Sequence, residues 1–197
     1  MGKYGKPLLI GLAVLVAVSF VVGFLGGMVG ADLGALPMIM GFIAGAVTTY
    51  LLSNLAGTER EVAASSDDKT AALNLRPAPG QALVIVFREG FVGSAAGLNI
   101  SIDGRRAVQL KSPRFAALSV TPGEHLLEVR FGGLAEKQNT AVEKRFSVAA
   151  GEVAAYRIGV SMGAMKNTVS VEPAPADAAL SAKLRTVKMT APDQDWA

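Results

Sequence analysis

Residues 7–30 read PLLIGLAVLVAVSFVVGFLGGMVG, and residues 36–56 read LPMIMGFIAGAVTTYLLSNLA. Neither stretch carries a charged side chain. About 20 residues at 1.5 Å rise cross a hydrocarbon core of about 30 Å, and both runs reach that length. A Lys, Arg or Asp at mid-membrane costs on the order of 3 kcal/mol, so the absence of charge is as informative as the length. Only Ala31-Asp32-Leu33-Gly34-Ala35 separates the runs. The pattern predicts a two-helix transmembrane hairpin over residues 1–56. A signal peptide has an apolar region of about 7–15 residues, and no second span follows it. A buried soluble hairpin keeps a polar outer face, which these runs lack. With no Cys in the chain, there is no thiol to carry a lipid anchor.

Charge sets the expected orientation. Lys3 and Lys6 precede the first run, the connector holds Asp32 alone, and Arg60, Lys69 and Arg76 follow the second run. Acidic residues count little in the positive-inside rule, so both flanks are expected in the cytoplasm; an extracytoplasmic soluble domain is the alternative. The lack of Cys suits either compartment.

Small residues recur at a spacing of four: Ser19, Gly23 and Gly27, then Gly26 and Gly30, and in the second run Gly41, Gly45 and Thr49. Such stripes let helix backbones approach closely in lipid. They either close the hairpin on itself or support a homo-oligomer. No ionisable group lies inside either run, so an ion or proton path has no residue to use.

Downstream of the hairpin the composition changes. Residues 57–80, small and polar and ending in Arg76-Pro77-Ala78-Pro79-Gly80, read as a loosely ordered linker, with a helical continuation as far as Ala64 as the alternative. Residues 81–188 read as an all-β antiparallel sandwich or small barrel of seven or eight strands. The run Ala82 to Phe87 is short, β-branched and almost continuously apolar, as in a strand buried on both faces. Leu98 to Ile102 alternates, and Asp103-Gly104 is a hairpin turn into Ala107 to Leu110. Phe115 to Val120 meets Thr121-Pro122-Gly123-Glu124, across which Leu126 to Phe131 is expected to pair back. Val142 to Val148, Val153 to Val160 and Thr168 to Val171 complete the strands. Asp177 is a natural N-cap for a short helix ending at Leu184, and residues 189–197 read as a loose tail.

The order of Ala82 to Arg88, Ile102-Asp103-Gly104, Val120 to His125 with Leu127 and Val129, Ala150-Gly151-Glu152 and Tyr156 resembles a bacterial PEGA-type, transthyretin-like family of β-sandwiches. That family has no assigned function and is usually lipoprotein-like. The resemblance spans about Gln81 to Leu184. It implies the sandwich fold and a role in surface or envelope binding, and it supplies no catalytic residues. With the hairpin in place of a lipidation site, the expected address is a bacterial inner membrane.

The sequence offers no catalytic set, no metal site and no cofactor motif. His125 is the sole histidine and opens a strand, where it packs or hydrogen-bonds beside the turn. Imidazole or thiolate metal sites need several such ligands. Asp103, Glu124 and Glu152 fall in turns, where carboxylates hold backbone N–H groups. The glycine-rich stretches at Gly90 and Gly132 lack the Lys-Ser or Lys-Thr of a phosphate loop.

Basic residues remain as the functional handle. Residues 81–172 hold eleven Lys or Arg against eight acids. Arg105, Arg106, Lys111 and Arg114 concentrate near one turn, and Lys137, Lys144 and Arg145 form a second group. They are either solvated strand edges or an anion site using the forked guanidinium. Aromatic residues are too sparse for a nucleic-acid surface. The expected function is a membrane-anchored, non-enzymatic binding or scaffold module, its partners membrane lipid and a homo-oligomer or membrane complex. The alternatives are an effector whose β domain senses a small anionic ligand such as a cyclic nucleotide and whose spans disturb the bilayer, or an accessory subunit of a larger complex.

Overall fold

The computed structural model describes residues 5–55, 62–91, 94, 96–132, 140–162 and 167–196. The chain divides into two compact units, Met1–Gly57 and Thr58–Ala197.

The first unit is the hairpin: α1, Gly5–Met28, and α2, Leu36–Leu55. Both helices are long and apolar enough to cross a membrane, and only 6% and 17% of their apolar windows are buried. Helices forming the core of a soluble protein would bury far more. Gly30 and Gly34 turn the connection at φ +68° and +51°, and the Gly34 N–H donates to the Asp32 carboxylate at 3.1 Å. The seam between the helices needs glycine. A Cβ on Gly45 would lie 2.7 Å from the Gly11 carbonyl oxygen, and one on Gly41 would lie 2.5 Å from the Leu15 carbonyl oxygen and 2.0 Å from Ser19 Oγ. Thr49 covers Gly11 and donates its hydroxyl to the Gly45 carbonyl at 2.9 Å. Among the predicted packing residues, Ser19, Gly41, Gly45 and Thr49 therefore close the hairpin on itself. Gly23 makes only ordinary contact with Pro37, and Gly27 meets nothing within 4 Å. Gly11 and Leu15 complete the seam without belonging to the predicted stripes.

Among the described residues the second unit has nine strands in two sheets. The strands are β1 Ala82–Arg88, β2 Leu98–Ile102, β3 Arg105–Leu110, β4 Arg114–Val120, β5 Gly123–Phe131, β6 Val142–Val148, β7 Val153–Met162, β8 Asn167–Ala174 and the two-residue β9 Lys188–Met189. A sheet of order β8-β7-β1-β4-β9 faces one of order β3-β2-β5-β6. β1 lies mid-sheet, antiparallel to β4 and parallel to β7. All seven of its residues are buried, and the two sides of the strand explain the unbroken apolar run. Ala82, Val84 and Val86 pack into the core between the sheets, with Leu98, Ile100, Leu118, Leu127 and Val129. Leu83, Ile85 and Phe87 face the other way, into a second cluster with Phe115, Leu180, Leu184 and Met189. Each such side chain contributes about 1.5–3 kcal/mol when fully buried. Pro173 is confined to the edge strand β8, where a missing donor is tolerated.

The pairing of β5 with β4 expected across Pro122-Gly123 does not form. β4 already has β1 on one side and β9 on the other, so both of its ladders are occupied. The turn instead carries the chain across to the second sheet, where β5 pairs with β2 and β6. The Asp103-Gly104 hairpin joining β2 to β3 forms as read.

The linker and tail expectations also change. Residues 56–61 lie outside the described part, but Ser66–Leu73 forms α3, capped by Ser65, whose hydroxyl accepts the Asp68 N–H at 3.0 Å. That helix lies on α4, Ala178–Arg185: Ser181 Oγ donates to the Leu73 carbonyl at 2.7 Å and Lys69 Nζ to the Arg185 carbonyl at 2.9 Å. The apolar outer face of β1 needs a cover, and Ala72 with α4 supplies it. Asp177 caps α4 as expected, accepting the Leu180 N–H at 2.9 Å. The tail is bound as well. Ala63 bridges Thr190, the Asp193 N–H donates to the Ala107 carbonyl at 2.8 Å, and Gln194–Trp196 forms a 3-10 turn.

Candidate functional site

One end of the sandwich gathers the β2–β3 and β4–β5 turns and the segment from Pro192 to Trp196. The Asp103-Gly104 turn has φ of +54° and +76° at its two residues, the left-handed pair that a two-residue hairpin demands. Asp is one of the few side chains that tolerates this conformation. The turn aims the Asp103 carboxylate across to β5, where one oxygen accepts the Leu126 N–H at 2.8 Å and the other lies 2.7 Å from His125 Nδ1. His125 Nε2 lies 2.7 Å from the Thr121 carbonyl oxygen. Carboxylate and carbonyl are both acceptors, so the ring satisfies them together only by donating from both nitrogens, as the imidazolium. Burial disfavours that charge, but the hydrogen bonds to Asp103 and Thr121 outweigh burial and hold the imidazole above its ordinary range. Burial would likewise raise Asp103, yet the hydrogen bonds from His125 and the Leu126 N–H prevail and hold it below the usual carboxylate range. The ring also packs on Phe146, with centroids 5.4 Å apart, and Phe146 packs on Tyr156 at the same distance.

This pair separates two clefts. One, of about 840 Å³, is lined by Arg105, Ser119, Thr121 and Trp196; the other, of about 520 Å³, by Glu124, Arg145, Phe146 and Ser147. Asp103 and His125 border both. Arg105 places its guanidinium 5.6 Å from the centre of the Trp196 ring, and Trp196 Nε1 is buried with no hydrogen-bond partner among the described residues. Arg106 Nε lies 3.0 Å from the Asp193 carboxylate. Glu152, in the neighbouring β6–β7 turn, accepts the Ala149 N–H at 2.8 Å, the backbone role expected of a turn carboxylate.

The four predicted anion-site cations do not form one patch. Arg105 and Arg106 begin β3 at this cleft, whereas Lys111 and Arg114 lie beyond its other end. Six residues of extended chain at about 3.3 Å each separate Arg105 from Lys111 by roughly 20 Å. Proximity in sequence misleads here because a strand carries its two ends far apart. Sequence reasoning also missed Asp193, Trp196 and Arg88. Arg88 is buried at the end of β1, donating from Nη1 to the Ala96 and Leu110 carbonyls at 2.7 and 2.8 Å. A lone charge closing an apolar run, and a single Trp in an apparently loose tail, were the available signals. Lys137 lies outside the described residues. Among the described residues no group of three or more His, Cys, Asp or Glu is placed to hold a metal ion.

The chain matches no protein-family model and no curated protein.

Proposed function

We propose that the protein is a membrane-anchored, non-enzymatic binding module. The hairpin anchors it, and the turn end of a PEGA-like sandwich recognises a protein or envelope component. One contrast carries the reading: α1 and α2 leave their apolar faces exposed, while the second unit buries its own on both sides of β1. Only lipid or other helices stabilise the first arrangement. The charges flanking the runs favour the cytoplasmic face of a bacterial inner membrane. Both nitrogens of the sole histidine are committed to acceptors, which leaves the ring a structural staple rather than a proton shuttle. Because the glycine seam is used within the chain, assembly would rest on outer faces or on a partner subunit.

Purification from the native host in detergent, with mass spectrometry of co-purifying proteins, tests this. A partner in fixed stoichiometry supports it; a chain that stays soluble and monomeric without detergent sinks it. A second reading, an effector sensing a small anionic ligand, draws on the cleft beside Arg105. Titrating phosphorylated small molecules against the fluorescence of Trp196, the sole tryptophan, separates the two. A saturable change abolished by Arg105→Glu favours the effector.

A further inference from the structure

We infer that residues 190–196 form a releasable strap coupling the cleft beside Arg105 to the tether of the hairpin, so that release of Trp196 from the cleft also unpairs Val62–Ala64. This deepens the reading of an anchored module whose turn end recognises a partner, and it rests on that reading.

The strap joins two places far apart in the chain. At its start the Ala64 N–H donates to the Met189 carbonyl at 3.1 Å and the Ala191 N–H to the Val62 carbonyl at 2.9 Å, on either side of the Ala63–Thr190 bridge. The pairing is antiparallel, so Val62 lies beside Ala191, on the cleft side of Thr190. Residues 56–61 alone separate Val62 from the end of α2. At the other end, Pro192, Asp193, Gln194 and Trp196 line the larger cleft, and the Trp196 ring packs on the core between the sheets. Only Pro192 stands between Ala191, bonded to the tether, and Asp193, bonded to β3. Proline fixes its own φ, so a shift of Asp193 is passed on rather than absorbed.

The receiving strand is shaped for this segment. Ile100 pairs with Val108 but Ser101 with Arg106, which leaves Ala107 as the extra residue of a bulge. The Ala107 carbonyl accepts the Asp193 N–H at 2.8 Å, while the Thr190 N–H donates to the Phe115 carbonyl of β4 at 2.9 Å. The strap thus crosses from one sheet to the other.

Its grip is incomplete at both ends. Thr190 Oγ1 and Trp196 Nε1 are buried with no hydrogen-bond partner among the described residues. Buried polar groups left unpaired weaken the docked state. The side-chain clasps are within reach of the cleft: the Arg106 and Asp193 side chains are 37% and 35% exposed, and Arg105 lies over the Trp196 ring. An acidic group entering there competes with Asp193 and with the ring for the two guanidiniums. A segment of this kind has a docked and a released state, and both the cleft and the tether bias the choice between them.

Coupling between two sites is reciprocal, so the test runs both ways on the full-length chain in detergent, read by amide hydrogen exchange with Ile85 of β1 as the reference. Trp196→Ala should speed exchange at the Ala64 amide at least about tenfold, the loss of a packed aromatic being large. In the other direction, Ala63→Cys with Thr190→Cys supplies a lock; the natural chain has no cysteine. Non-hydrogen-bonded antiparallel pairs hold their Cα atoms about 4.5 Å apart, within disulfide reach. Oxidising this variant should slow exchange at the Asp193 amide at least about tenfold, relative to the same protein reduced, by suppressing local opening. Because the lock compares one folded protein with itself, a misfolded Trp196 variant cannot mimic its result. An Asp193 amide indifferent to the lock, or acceleration in Trp196→Ala confined to residues 193–196, would overturn the strap. These readouts succeed or fail separately from the native-host purification that tests the anchor.

Discussion

His125 Nδ1 stands 2.7 Å from the Asp103 carboxylate, and this contact ties the β2–β3 turn to the start of β5. Asp103 comes from one hairpin and His125 from the strand following a different turn, so the bond fixes the relative position of two loops that border both clefts.

The pair makes stability depend on pH, with a sign that follows from its shifts. His125 is held above its ordinary value of about 6.5, so its contribution is full below that pH and fades as pH rises through the folded-state value. Asp103 is held below about 3.9, so its contribution is full above that pH and is lost on acidification through its folded-state value. The second unit should be most stable between roughly pH 4 and 6.5. Asp103→Asn keeps an acceptor for Leu126 and tolerates the left-handed backbone, but removes the charge. It should lower the His125 pKa in an NMR titration and cost about 1 kcal/mol, a modest figure because the carboxylate is half exposed. An unchanged titration would mean that the contact does not hold the ring charged.

Closing the hairpin depends on backbone contact at Gly45. Gly45→Ala places a methyl 2.7 Å from the Gly11 carbonyl oxygen and forces the helices apart, an overpacking cost of about 1–3 kcal/mol. Gly27→Ala points into open space and should leave the hairpin unchanged. Engineered-cysteine cross-linking between α1 and α2 in detergent distinguishes the two, with a reduced rate expected for the Gly45 variant alone.

Arg88→Met keeps the bulk of the stem and deletes the donor group that serves two carbonyls. Leaving buried acceptors without their donor costs about 1–3 kcal/mol. The loss should appear in chemical denaturation, together with faster hydrogen exchange near Ala96 and Leu110. Full stability in this variant would show that solvent replaces the guanidinium.

Removing the tail after Met189 deletes the Asp193 partner of Arg106, the Trp196 ring beneath Arg105 and the bridge to Ala63. The second unit should lose about 1–3 kcal/mol, within the range of losing a few packed contacts and hydrogen bonds. It should also become sensitive to proteolysis between Val62 and Ser65. A variant as resistant as the full chain would contradict a bound tail.

The legible part of this molecule was local. Helix length follows from the uncharged runs, and the Asp103-Gly104 hairpin follows from the need for two left-handed residues in succession. The cap of α4 follows from Asp177, whose side chain bonds only three residues ahead. Burial of β1 on both faces was readable too, because an apolar run without alternation has no solvent side. Part of the seam, Gly41 and Gly45, showed in the spacing of small residues, whereas Gly11 needed its partner Thr49 on the other helix to be recognised.

What no window of sequence contains is which elements cover which. The choice of β2 and β6 as partners for β5 depended on β4 already being flanked. The segment before the sandwich became α3, and α4 and Met189 packed beside it, because the outer face of β1 would otherwise meet water, while the tail is held by partners far away in sequence: Ala63, Arg106 and Ala107. Arg105 and Lys111 parted for a similar reason: pairing distance is set by the extended strand, not by adjacency along the chain. Local propensity acts over a few residues, while the burial of Leu83, Ile85 and Phe87 is satisfied by partners about a hundred residues away.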